Sequence, residues 1–81
     1  MARRRVLAIE HDWRIRRLLQ ANLESVGLDV QAAVNGRHGL HLISQEAPDL
    51  ILIGTDLPDV DTPHLLERLI RSYTDRNPSL S

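Results

Sequence analysis

The stretch that most limits what this chain can fold into is Asp49-Leu50-Ile51-Leu52-Ile53-Gly54-Thr55-Asp56-Leu57-Pro58-Asp59-Val60-Asp61. Leu50 to Ile53 is too short for an ordinary helix and apolar on both faces. It therefore reads as a parallel strand covered on both sides, in an α/β layer. The character then changes abruptly to Gly, Thr, Asp and Pro, the composition of a loop. In open α/β sheets the carboxyl edge of such a strand is where ligands and chemistry gather.

The rest of the chain supplies the partners of that strand. Val6 to Ile9 is a second short apolar run, closed by Glu10-His11-Asp12. From Trp13 to Val26 the residues Ile15, Leu18, Leu19, Leu23 and Val26 paint one helical face, with Asp12 as N-cap and Gly27 just past the end. Leu28 to Val34 alternates as a strand at a sheet edge and closes on the turn pair Asn35-Gly36. Arg37 to Gln45 predicts a short helix, which Gly39 weakens by about 1 kcal/mol relative to Ala. Thr62-Pro63 reads as an N-cap followed by Pro at the first helical position, and Leu65, Leu66, Leu69 and Ile70 form the apolar face of a last helix. The expected division is a folded part over 1–72 and a polar, fraying tail over 73–81. Strand and helix alternate three times with short connections, so right-handed crossovers predict a parallel sheet with the first strand between the other two.

At 81 residues the chain makes one small domain, near the size at which buried surface only just outweighs chain entropy. Its 42% apolar and 26% charged residues are those of a folding globular chain. With no Cys, disulfides, thiol nucleophiles and thiolate metal sites drop out. No apolar run approaches the roughly 20 residues that cross a bilayer, nor does one form a signal-peptide core, so no membrane contact and a cytoplasmic location are expected. The net charge of −1 conceals a basic amino-terminal part: Arg3, Arg4, Arg5, Arg14, Arg16 and Arg17. These could form one phosphate-binding patch, which makes a small nucleic-acid-binding protein the main rival reading. The near-neutral net charge, the lack of interleaved aromatics and the absence of a helix-turn-helix pattern weigh against it, leaving nucleic acid an unlikely partner.

Val6 to Asp12 followed by Ile15-Arg16-Arg17-Leu18-Leu19, then Gly27 to Val30, Ala33 to Gly36, and Pro48 to Ile53 with Leu57 to Asp61, resembles a response-regulator receiver domain of the CheY-like superfamily. The resemblance runs from about Arg5 to Arg71 and implies a flavodoxin-like, three-layer βαβαβα arrangement with strand order 2-1-3. It also implies a role in bacterial two-component signal transduction. Receivers accept a phosphoryl group on an Asp that ends the third strand, and the matching position is Gly54. The acidic pair that helps hold Mg²⁺ matches Glu10 and His11. Mg²⁺ favours a shell of oxygen ligands, so no cofactor and no phosphotransfer chemistry are expected. The family carries five strand–helix units, and this sequence matches the first three. The expectation is therefore a truncated pseudo-receiver, not an enzyme, acting through protein association.

Several residues carry both a sharp and a plain reading. Asp56 could substitute as acceptor, but a solvated loop acid is the plainer reading. His11 could bind a transition metal or titrate near neutrality; a hydrogen-bonded loop histidine suffices. His38 and His41 have helical i, i+3 spacing without a third ligand near them or His64, so a metal site is not expected. Trp13 could cap the pocket or anchor an interface, against a core-edge packing role. Leu50, Ile51, Leu52 and Ile53 would leave an unpaired, apolar strand edge, the kind of surface that associates. Two such edges about a twofold axis would form one six-stranded sheet; otherwise the edge would dock on a signalling partner or be completed by further sequence in a larger atypical regulator.

Overall fold

The computed structural model describes residues 3–76, without the side chains of 73, 75 and 76. Three strands, β1 (Arg5–Ile9), β2 (Asp29–Ala33) and β3 (Leu50–Ile53), alternate with three helices, α1 (Trp13–Ser25), α2 (Gly36–Gln45) and α3 (Thr62–Arg76). The sheet is parallel with order β2-β1-β3, and β1 registers Val6 against Val30 on one side and against Leu50 on the other. This is the flavodoxin-like receiver arrangement anticipated from the alternation of elements. β3, whose composition suits a covered strand, lies at an edge of this sheet, half-buried, with Leu50 51% exposed.

The caps decide where the helices begin and end. Asp12 accepts the Arg14 amide at 2.9 Å as the N-cap of α1. At its other end Gly27 has φ +90°, the Gly27 amide bonds Glu24 O and the Leu28 amide bonds Leu23 O. That pair of bonds is a Schellman closure, which a left-handed residue permits and Gly supplies without Cβ strain. Asn35 caps α2 through the His38 amide at 2.8 Å.

The start of α3 differs from the expectation. The cap is Asp61, whose carboxylate accepts the His64 amide at 3.1 Å while its carbonyl accepts the Leu65 amide at 3.0 Å. Thr62 is thereby the first helical residue, and its hydroxyl donates instead to Gly54 O at 2.8 Å. A carboxylate serves the electropositive helix end well, which frees the hydroxyl for a carbonyl left over at the end of β3. The helix also continues to Arg76, past the Tyr73 at which a tail was expected; of that tail, 77–81 lie outside the described residues.

One sheet face carries the main core. Leu7, Ile9, Ala33, Ile43, Leu65 and Leu69 are buried together, with Leu40, Leu42, Ile51, Ile53, Leu57 and Val60 packed around them. Full burial of Leu7, Ile9 and Leu65 contributes about 1.5–3 kcal/mol each. On the other face α1 stands alone and contributes no buried residue.

Candidate functional site

The carboxyl ends of β1 and β3 meet at one cleft. Ladder hydrogen bonds run past both strands: the Glu10 amide donates to Ala33 O at 3.0 Å and the Gly54 amide to Ile9 O at 2.7 Å. The bonds fix Glu10 and Gly54 side by side at the top of the sheet. Glu10, His11, Asp12, Trp13, Arg14, Ile15, Thr55 and Asp56 line an open cleft of about 560 Å³ there.

Glu10 folds back over Gly54. Its Oε2 accepts the Asp12 amide at 3.3 Å, and the same oxygen lies 2.9 Å from the point that a Cβ on Gly54 would occupy. The space into which a side chain at 54 would project is thus filled by the Glu10 carboxylate. Asp12 spends its own carboxylate on the cap and on Arg14, whose guanidinium lies 3.3 Å away. The side-chain hydrogen bond from Arg14, with the Arg14 amide next, holds the Asp12 carboxyl below its ordinary value of 3.8. His11 and Asp56 are both exposed. Glu10 and Asp56 therefore line one cleft with His11, while Gly54, beside Glu10, lines a smaller neighbouring pocket with Leu19 and Leu52. Among the described residues, no three His, Asp or Glu side chains are grouped closely enough to hold a metal ion. This donor set, one carboxylate folded over a glycine and a second engaged by an arginine, does not fit an octahedral Mg²⁺.

Arg16 escaped the sequence reading as an individual residue. Its Nη1 donates to both Glu10 O at 2.9 Å and His11 O at 2.8 Å, clamping the β1–α1 turn that carries the cleft. The signal available in sequence was only its place one turn into α1. Trp13 is 57% exposed at the cleft rim, so it is not packed at a core edge.

The other candidates separate. Leu50 to Ile53 form the β3 edge, away from the cleft. Arg3 and Arg4 precede β1 and Arg5 opens it, whereas Arg14, Arg16 and Arg17 follow it, so roughly 16 Å of strand lies between the two groups. They do not make the single patch that the nucleic-acid reading supposed. Arg5 pairs with Glu46 and Asp29 at the foot of the sheet. His38 turns inward, its Nδ1 accepting the Val34 amide at 3.2 Å, while His41 is exposed. Among the described residues, no helix is long and apolar enough to cross a membrane.

The order of elements and the cleft at the ends of β1 and β3 define a receiver-type α/β module. The chain belongs to the response regulator receiver domain family, whose sequence profile matches residues 6–79. It is 45% identical over 67 residues to the DNA-binding dual master transcriptional regulator RpaA of Synechocystis, a match covering 83% of this chain and 28% of RpaA. The receiver domain of the Francisella response regulator 1452 superposes with a TM-score of 0.82 at 28% identity, over 86% of this chain and 58% of that one. The Vibrio cholerae chemotaxis protein CheY4 gives 0.86 at 21% identity, over 94% and 63%, a likeness of fold alone. The chain spans less than a third of the length of the curated relatives it matches.

Proposed function

We propose that this chain is a phosphorylation-independent receiver module that works in the cytoplasm by binding protein rather than by catalysis. The observation that carries this is Gly54 itself: the position that matches the family's acceptor has no carboxylate, and the Glu10 carboxylate folds over it instead. The unsuitable donor set for Mg²⁺ supports it, because phosphoryl transfer depends on a cation to neutralise developing charge. The open edge of β3 supports association, either with a second copy or with a signalling protein.

Incubation with acetyl phosphate, or with beryllofluoride, in the presence of Mg²⁺ tests the reading by intact mass and amide spectra. No adduct and no spectral change are expected for this chain. The double variant H11D/G54D restores the acid pair and the acceptor, and serves as the positive control. A Mg²⁺-dependent adduct on Asp56 would overturn the proposal. A second reading, a domain within a longer regulator, is supported by the length of the relatives. In that setting Gly54 still denies phosphate its usual place. Binding to nucleic acid is the weakest reading, and electrophoretic mobility shift at low salt tests it: no retardation is expected, and salt-steep retardation would revive it.

A further inference from the structure

The first turn of α2 is closed by two reciprocal hydrogen bonds. Asn35 Oδ1 accepts the His38 amide at 2.8 Å, and His38 Nδ1 reaches back to accept the Val34 amide at 3.2 Å. This is the geometry of a capping box shifted by one residue, in which the third helical position returns a side-chain acceptor to an amide ahead of the helix. Glu or Gln ordinarily fills that position, and either accepts throughout the neutral range. Histidine does not. The nitrogen that accepts in the neutral ring becomes a donor once a proton is added. Histidine is also the side chain whose ordinary titration falls between about pH 5 and about pH 8.

We propose that His38 is a proton-sensitive cap, which holds the β2–α2 turn closed on the Val34 amide when neutral and swings away from it when protonated. A protonated ring sets one N–H against another, so it must turn out. It is only half-buried, and solvent is within reach. The surrounding charges oppose one another. Arg37 and the electropositive end of α2 repel an imidazolium, and the first turn of that helix carries no acid. Asp59 of the β3–α3 loop attracts one, but its two oxygens are engaged by the Gly36 and Arg37 amides. His41 lies a turn further along α2 and is exposed, as are His64, Glu67, Arg68 and Arg71 of α3. Glu10, past the end of β1, turns toward Gly54, while Arg5 and Asp29 pair at the opposite end of the sheet. The Asp59 carboxyl is held below its ordinary value, so it stays ionised while His38 titrates and its grip on the helix end persists. The release is thus confined to Val34 and Asn35, directly after Ala33, whose carbonyl takes the Glu10 amide. A proton at His38 loosens the carboxyl edge of the sheet beside the cleft without unwinding α2. This goes beyond the proposed function and holds whatever the cleft binds.

The test is nuclear magnetic resonance of the nitrogen-labelled 81-residue chain from about pH 8 to about pH 5, reading histidine ring nitrogens and amide exchange, with H38Q and H41Q beside the wild type. At the alkaline end His38 is expected as the tautomer with its proton on Nε2, because Nδ1 accepts. Corrected for the intrinsic pH dependence of exchange, the Val34 amide should lose protection roughly fivefold on acidification, the worth of one hydrogen bond. The Gly39 amide, bonded to Asn35 O, should keep its protection. H38Q retains an acceptor at every pH and should hold Val34 equally at both ends of the range, and H41Q should behave as the wild type. Val34 protection that is constant with pH in the wild type, or that falls as far in H38Q, would overturn the switch. A proton on Nδ1 at the alkaline end would overturn it too, and that reading needs no variant.

Discussion

Asp59 joins two segments that the sequence keeps apart. Its carboxylate accepts the Gly36 amide at 2.9 Å and the Arg37 amide at 2.8 Å, so the β3–α3 loop caps α2 from 22 and 23 residues away. The Arg37 amide first, and the Gly36 amide with it, hold the Asp59 carboxyl below its ordinary value of 3.8. A depressed carboxylate stabilises the fold above its unfolded pKa, and that stabilisation disappears as pH falls through the folded value. Thermal melts should therefore fall as pH drops below about 4, and D59N, which cannot ionise, should melt lower at neutral pH with a shallower acid slope. An unchanged acid slope in D59N would assign the acid loss elsewhere, Asp12 being another depressed carboxylate. Asn35-Gly36 was legible as a turn and Asp59 as a loop acid. Their link was not, because a cap supplied from a distant loop leaves no local spacing to read. Glu10 over Gly54 is a similar case: the residue types were visible, but the fold-back depends on a side-chain torsion.

At the scale of the element, α2 reverses a propensity argument. Gly39 lowers helix propensity, and on that ground alone Ala would stabilise by about 1 kcal/mol. In the folded chain Gly39 is buried, and a Cβ there would run into the Ile9 side chain. The helix needs that glycine for its close approach to β1. G39A is therefore expected to destabilise by about 1–3 kcal/mol in urea unfolding, and a gain in stability would show that Ile9 can move aside. α1 illustrates what patterning can deliver: its start at Trp13, its cap at Asp12 and its stop at Gly27 are all local, and all three stand as read. Its charges run against the macrodipole, with Arg14, Arg16 and Arg17 in the opening turns and Glu24 in the last. Arg16 explains part of this, since its guanidinium satisfies two turn carbonyls.

Over the whole molecule, the strand order followed from crossover handedness and connection length, which need no side-chain detail. The environment of each strand did not follow so readily, because composition records what a strand is suited to, not what lies beside it. β3 has the composition of a covered strand and sits at an edge of this sheet, with Leu50 half-exposed. Association with a second copy through the β3 edge, as proposed above, would make unfolding a two-chain event, so the midpoint would rise with protein concentration by mass action. At ~0.7 kcal/mol per residue, two 81-residue chains unfold with an enthalpy of about 110 kcal/mol. A hundredfold increase in concentration should then raise Tm by roughly 9 °C. A concentration-independent Tm for the wild type would mean that the β3 edge is not closed by this chain's own copies, whatever else binds there.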